Sequence, residues 1–223
     1  MTRLHFDLEL KRLHTELEGM CDLVQRLIRE AITALVNQDV ALAKGVYAEG
    51  GRVNDFEHKI ERLCLNLIAR QQPLATDLRR ISAALKIITD MERIGDQAED
   101  ICMLTIKMAR YDEHTPPPAD LTEMAGKVAH MVDGAIDAYV RLDSAAADAV
   151  CAADDEIDAM FAEIITALGE SLRKNSGAAV FRAVNYVLVA KYLERIADHA
   201  TNIAEWVAFI VTGTHKEGSA NRL

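Results

Sequence analysis

Apolar residues recur at alternating steps of three and four along most of the chain, which is the pattern of a helix packed against other helices. A first row of this kind comprises Leu13, Leu17, Met20, Val24, Leu27, Ala31 and Ala34. A second row runs from Leu42 to Leu67 and keeps its phase through Gly50 and Gly51. Because an interior Gly costs about 1 kcal/mol relative to Ala, we predict one long second helix with a weak point there.

Pro73 predicts the end of this second helix, because proline disrupts a helix interior. A third helix then begins near Thr76, whose hydroxyl is a suitable N-cap, and runs to about Arg110. The polar, proline-rich segment that follows, residues 112–118, is the one clear boundary in the chain.

After this boundary the pattern restarts as an internal repeat. A displacement of 104 positions relates Leu17, Met20, Val24 and Asp39 to Leu121, Met124, Val128 and Asp143. Further along, the displacement is 102 and takes Arg80 to Arg182. We therefore predict an all-α protein of two tandem three-helix bundles with antiparallel helices. The predicted ranges are a first repeat over 1–112, a linker over 113–118, a second repeat over 119–213 and a disordered tail over 214–223.

The composition supports helices and excludes several classes of function. Half of the 223 residues are apolar, only 5% are aromatic and four are proline, which suits long helices better than sheets. The formal net charge of -10 argues against a nucleic-acid-binding protein, which would show a basic face. It also argues against attachment to anionic lipid by charge.

No motif in the sequence indicates export, membrane insertion or catalysis. The chain starts without a hydrophobic signal region, and it has no run of about 18 uncharged apolar residues. Its four cysteines lack disulfide or zinc-finger spacing, so we interpret them as buried thiols. A glycine-rich phosphate loop and a nucleophile with a paired base are also missing. We therefore predict a soluble, cytoplasmic protein that is not an enzyme.

The two repeats agree best at one short motif. It reads Glu92-Arg93-Ile94-Gly95-Asp96 in the first repeat and Glu194-Arg195-Ile196-Ala197-Asp198 in the second. On a helix the two acids of each motif share a face, and Asp100 extends the first pair by a turn. This face lies at the edge of the apolar stripe, where carboxylates that repel each other need a cation.

Two kinds of cation remain open as partners of these acids. Arginine is the first, with Arg93 and Arg195 inside the motifs and Arg80 and Arg182 at matching earlier positions, as salt-bridge or partner-docking residues. A metal ion is the second, because hard cations bind carboxylate oxygens from facing helices. From spacing alone salt bridges are the commoner outcome, and the Glu-x-x-His pattern of di-iron bundles is missing.

With these paired motifs the chain resembles the PhoU family, and the segment 68–79, IARQQPLATDLR, agrees as well. The resemblance implies a negative regulator of phosphate uptake and of the phosphate-starvation two-component response. Such a protein docks between the ATPase of the phosphate ABC transporter and a membrane sensor histidine kinase. The resemblance also implies a homodimer that reaches the inner membrane only through these partners.

The resemblance gives metal more weight, because some family members bind iron or zinc clusters through Glu/Asp-x-x-x-Asp motifs. Magnesium or manganese would suit the same oxygens. The ligands implied in this sequence are Glu92, Asp96, Asp100, Glu194 and Asp198. Asn202 stands in the second repeat where the first has Asp100, so the two sites need not bind metal equally.

Two rival functions belong to other classes of protein. One is a metal-binding helical bundle that stores iron or zinc or has a redox role. The other is a structural dimerisation module, in which the acids form salt bridges only.

Overall fold

The structure, a computed structural model, describes residues 3–71, 73–111, 116–174 and 176–214. Within these ranges every regular element is an α-helix. In chain order the helices are α1 (Arg3–Asn37), α2 (Val40–Glu49), α3 (Gly51–Gln71), α4 (Ala75–Met108), α5 (Ala119–Arg141), α6 (Ser144–Lys174) and α7 (Ala178–Thr212). The predicted linker over 113–118 lies partly outside the described residues, and the predicted tail over 214–223 lies outside them except for Thr214.

The helices form the two three-helix bundles that the internal repeat predicted. The first bundle consists of α1, α4 and the α2–α3 pair, and the second consists of α5, α6 and α7. The bundles join where α4 packs against α7 and α1 packs against α5. Their buried side chains form one continuous hydrophobic core, so the two repeats stabilise each other.

Contacts at both ends of the α4–α7 pair show that these helices are antiparallel. Near the start of α4, the Arg79 guanidinium donates to the Ile210 carbonyl at 3.5 Å, close to the end of α7. Just after α4, Tyr111 lies against Phe181 near the start of α7, with ring centroids 4.4 Å apart. The middle of the pairing therefore lies near Gly95 and Ala197, inside the two repeated motifs.

The repeat extends to the turn that precedes the second helix of each bundle. Gln38 and Leu142, which correspond in the repeat, both adopt a φ of 52°. The residues that follow them, Asp39 and Asp143, each accept hydrogen bonds from two backbone N–H groups of the next turn at 2.9–3.1 Å. These side chains satisfy donors that a helix start leaves without partners. The same local chemistry therefore starts α2 and α6.

The second helix of the first bundle is interrupted at its predicted weak point rather than continuous. Helix α2 ends at Glu49, and the Val53 N–H donates to the Gly50 carbonyl, three residues back instead of four. A Cβ on Gly50 would lie 1.8 Å from a carboxylate oxygen of Glu99 on α4. Glycine at this position therefore lets α4 bring a carboxylate against the α2–α3 junction.

The predicted N-cap of α4 is wrong. Leu74 is the N-cap residue, with an extended backbone and no side-chain capping hydrogen bond, and the helix begins at Ala75. Thr76 thus lies inside the first turn.

Candidate functional site

The motif of the first repeat lies on α4, where four carboxylates follow one another over about two turns. With Glu57 of α3 they form what we call the first acidic cluster: Glu57, Glu92, Asp96, Glu99 and Asp100. Only 15% of the Glu92 side chain is exposed, and burial followed by the charge of Asp96 raises its pKa. Arg93 offsets part of this repulsion, because its guanidinium lies 3.4 Å from Glu92 Oε2 and 3.6 Å from Asp96 Oδ2.

Asp100 connects the first acidic cluster to the second bundle. Burial and the charge of Asp96 raise its pKa, whereas a hydrogen bond with Tyr192 and the charge of Arg195 lower it. Both of these partners lie on α7. The arginine of the second motif therefore acts on an acid of the first repeat.

The motif of the second repeat contributes to a second group of acids between α6 and α7. We call Asp154, Asp158, Glu194 and Asp198 the second acidic cluster. Burial and then the charges of the other three acids raise the pKa of Asp198 to about 6. Lys191 acts in the opposite direction, with its Nζ 2.7 Å from Glu194 Oε2. The carboxylates here outnumber the cations that offset them.

Sequence analysis did not identify Asp154 as a member of this cluster. Its pKa is raised by burial and by the charge of Asp158, one turn later on α6. The spacing of these two acids was the available signal. What the sequence did not give was the pairing of this part of α6 with the α7 motif, because the two segments are about 40 residues apart.

Arg80 and Arg182 lie away from both acidic clusters. Each precedes the glutamate of its motif by about three turns, which is roughly 18 Å along a helix. Arg80 lines a cavity together with Tyr139, and the charge of Arg182 lowers the pKa of Tyr186. The structure thus brings Arg93 and Arg195 to the acids and brings Arg80 and Arg182 to other surfaces.

A polar contact that sequence analysis missed joins the bundles beside the motifs. Asp90 Oδ1 on α4 lies 2.9 Å from His199 Nδ1 and accepts a hydrogen bond from Asn202 Nδ2 at 3.1 Å, both on α7. This contact explains the departure at position 202. An aspartate there would repel Asp90, whereas the asparagine donates to it.

The acidic clusters match a metal in donor type but not in arrangement. Carboxylate oxygens suit hard divalent cations, and in the second acidic cluster the charges of three neighbouring acids act on Asp198. Among the described residues, however, no three His, Cys, Asp or Glu side chains converge so as to hold an ion. Metal binding therefore stays a prediction that requires the carboxylates to move closer together.

None of the helices in the described ranges combines the length and the apolarity that crossing a membrane requires.

The family model described as "PhoU domain" matches residues 17–105 and again residues 121–207. These two matches coincide with the two bundles.

Curated relatives match over nearly their whole length. The chain is 35% identical over 214 residues to the phosphate-specific transport system accessory protein PhoU homolog of Clostridium acetobutylicum, covering 96% of this chain and 97% of that protein. It is 33% identical over 213 residues to the homolog of Pseudomonas aeruginosa, covering 94% and 86%. These relatives are named for a role beside a phosphate transporter.

Solved structures share the architecture. The crystal structure of PhoU from Pseudomonas aeruginosa aligns with a TM-score of 0.86 at 33% identity, over 94% of this chain and all of that one. The phosphate transport system regulatory protein PhoU from Streptococcus pneumoniae aligns with a TM-score of 0.84 at 24% identity, over 94% of this chain and 98% of that one. The second likeness bears on the fold alone.

Proposed function

The chain belongs to the PhoU family, and we propose that it is a negative regulator of phosphate uptake and of the phosphate-starvation two-component response. It would dock between the ATPase of the phosphate ABC transporter and a sensor histidine kinase, as a homodimer in the cytoplasm. The observation that carries this proposal is the family match across both repeats, since relatives of matching length are named as accessory proteins of phosphate-specific transport.

The acidic clusters supply a physical basis for docking. Each bundle has one cluster with unbalanced negative charge, on a chain of net charge -10. Charge complementarity across an interface increases the association rate and selects the partner. We propose that the two clusters contact basic surfaces on the kinase and on the transporter ATPase.

Regulation in this proposal needs no catalytic step. A docking protein shifts a partner between two states when it binds one of them more tightly. When phosphate is plentiful, docking would favour the phosphatase state of the kinase and a less active transporter. The chain's part is to present two corresponding acidic surfaces on two bundles that share one hydrophobic core.

The first test replaces the chromosomal gene and measures a phosphate-dependent reporter. The charge-neutralised variant carries Glu92→Gln, Asp96→Asn, Glu194→Gln and Asp198→Asn. A matched control removes four exposed carboxylates outside the clusters: Glu61→Gln, Asp120→Asn, Glu163→Gln and Glu170→Gln. We expect deletion and the cluster variant to express the reporter in high phosphate, and the control to repress it.

Two results would contradict the proposal at different levels. If deletion leaves phosphate-dependent expression unchanged, the chain does not regulate this response. If deletion derepresses the reporter but the cluster variant represses it normally, the chain regulates without its acidic clusters. Protein levels must be matched by immunoblot, because an unstable variant would resemble a deletion.

Metal binding is the second candidate function, and the grouping of four carboxylates in the second acidic cluster, with Lys191 offsetting their charge, favours it. The second acidic cluster would bind the cation, and Glu92, Asp96 and Asp100 would form a corresponding site in the first bundle. Elemental analysis of freshly purified protein tests this directly. We expect stoichiometric iron, zinc, magnesium or manganese in the wild type and none in the cluster variant. Absence of metal from the wild type would leave the acids to salt bridges and docking.

A further inference from the structure

A cavity of about 590 Å³ opens at one end of the molecule, away from the acidic clusters. The N-terminal half of α1, the start of α4, the end of α5 and the end of α7 enclose it. Sites for small molecules typically have about 300–1,000 Å³ and apolar walls. The size of this cavity therefore fits a ligand rather than a single water molecule.

The internal repeat shows how the cavity arises. At the corresponding place in the second repeat the space is only about 10 Å³. The displacements of 104 and 102 relate the residues that line the two cavities. The corresponding pairs, with the residue of the large cavity first, are Tyr139 and Leu35, Leu142 and Gln38, Arg80 and Arg182, Ala84 and Tyr186, and Ile210 and Met108. The same architecture is thus open in one copy and closed in the other.

Among the corresponding lining residues, one pair differs most in size, Ala84 and Tyr186. Tyr186 is buried in the second repeat, where its hydroxyl forms a hydrogen bond with Gln38. Burial raises the pKa of this hydroxyl, and the hydrogen bond offsets part of the rise. Ala84 holds the corresponding position on α4 and leaves that volume free. An unfilled apolar space destabilises a core. The first repeat nevertheless keeps an opening at the position that a tyrosine side chain occupies in the second repeat.

The lining combines an apolar floor with cationic groups. Leu13, Leu17 and Ile81 are buried in the floor. Lys11 and Arg80 also line the cavity, and among the described residues neither side chain forms an ion pair, while Asp77 is the carboxylate beside them. Among the described lining residues, cations thus exceed acids on a protein whose net charge is -10.

Tyr139 adds a hydrogen-bond donor. Its hydroxyl makes no hydrogen bond to any residue that the structure describes, and the side chain lines the cavity. Burial raises the pKa of Tyr139 well above its ordinary value, against the smaller effect of Arg80. The phenol thus stays protonated and keeps its donor available.

We propose that this cavity binds a small amphipathic anion, with a carboxylate or phosphate head near Arg80, Lys11 and Tyr139 and a hydrocarbon chain against the apolar floor. This proposal goes beyond the regulatory function and does not depend on it. Heads of either kind accept hydrogen bonds from arginine and lysine, so the probes must distinguish them.

The test is calorimetric titration of the full chain with dodecanoate, dodecyl phosphate, dodecanol and inorganic phosphate, below the micelle concentration. We expect one saturable site for the two anionic amphiphiles and at least tenfold weaker binding of dodecanol and of inorganic phosphate. Shortening the chain should weaken binding about fourfold per methylene, as for transfer of apolar surface from water.

Three variants locate the binding in the cavity. Ala84→Tyr copies the second repeat and should abolish binding, and Arg80→Gln should weaken it about tenfold through loss of a charged hydrogen bond. Val140→Trp, at a partly exposed lining residue, should block access without depending on how Ala84→Tyr folds. Lys86→Gln removes an exposed charge from the same helix and should leave the affinity unchanged.

Several outcomes would overturn the proposal. The proposal fails if the wild type binds neither anionic amphiphile, or if inorganic phosphate binds as tightly as dodecyl phosphate. It also fails if the Ala84→Tyr and Val140→Trp variants both bind with wild-type affinity. Equal affinity for dodecanol and dodecanoate, or an Arg80→Gln variant with unchanged affinity, would refute recognition of the anion.

Discussion

Replacing Asp198 by Asn should stabilise the folded protein, because it removes a carboxylate whose ionised form is disfavoured by burial and then by the charges of the second acidic cluster. Its pKa rises from 3.8 to about 6 in the folded state. A shift of that size corresponds to about 3 kcal/mol once the group is ionised, at about 1.4 kcal/mol per pKa unit. Because Asp198 lies at the exposed edge of the cluster, solvent screens the repulsion, and we expect about 1 kcal/mol.

The pH dependence of this gain has a definite sign. The folded state binds the Asp198 proton more tightly than the unfolded chain, so stability from this group is greatest at low pH and falls as pH rises from 3.8 to about 6. Asparagine carries no charge at any pH. The stability difference between the variant and the wild type should therefore vanish below 3.8 and be complete above about 6.

Urea unfolding of the wild type and the Asp198→Asn variant across this pH range measures the difference. Glu163→Gln, which removes an exposed carboxylate on α6, is the matched control and should show no gain. In thermal unfolding near neutral pH, we expect the melting temperature of the variant to be about 2–4 °C above that of the wild type. A variant no more stable than the wild type near neutral pH, or one equally stabilised at every pH, would refute the idea that the fold disfavours the ionised form of Asp198.

Three further predictions concern the fold. Asp39→Ala and Asp143→Ala should each cost about 1 kcal/mol, because they remove equivalent N-caps; urea titrations that give unequal costs would contradict the equivalence of the two turns. Ile94→Ala, at a fully buried position, should cost about 2–5 kcal/mol in the same assay, and a cost below 1 kcal/mol would argue against burial. A double-mutant cycle on Arg29 and Asp133 should give a coupling below about 1 kcal/mol, because the pair is largely exposed; a larger value would contradict that exposure.

The architecture was predictable from the sequence because it depends on periodicity and repetition. The helical rows persist over several turns, and a fixed displacement relates Asp39 to Asp143 and Leu17 to Leu121. Local signals were weaker guides. The side chain of Glu99, almost 50 positions after Gly50, packs where a Cβ on Gly50 would lie, and no local propensity encodes that contact.

The candidate site was only half predictable for the same reason. Acids one turn apart on one helix, such as Glu194 and Asp198, are visible in sequence, whereas the approach of Asp154 from α6 depends on how two helices align. The contact of His199 with Asp90 joins different repeats. The large cavity lies where Ala84 stands in the first repeat, and Tyr186 lines the small cavity at the corresponding place in the second. This difference becomes visible only when the two ends of the molecule are compared.

Regulation by docking is the central claim, and direct binding tests it. The measurement is the affinity of the purified chain for the cytoplasmic part of the sensor kinase and for the transporter ATPase, for the wild type, the four-carboxylate cluster variant and the charge-matched control. We expect the wild type and the control to bind alike, and the cluster variant to bind at least tenfold more weakly to one partner or both. Binding of the cluster variant to both partners with wild-type affinity would contradict docking through the acidic clusters, and no binding by the wild type would contradict docking itself.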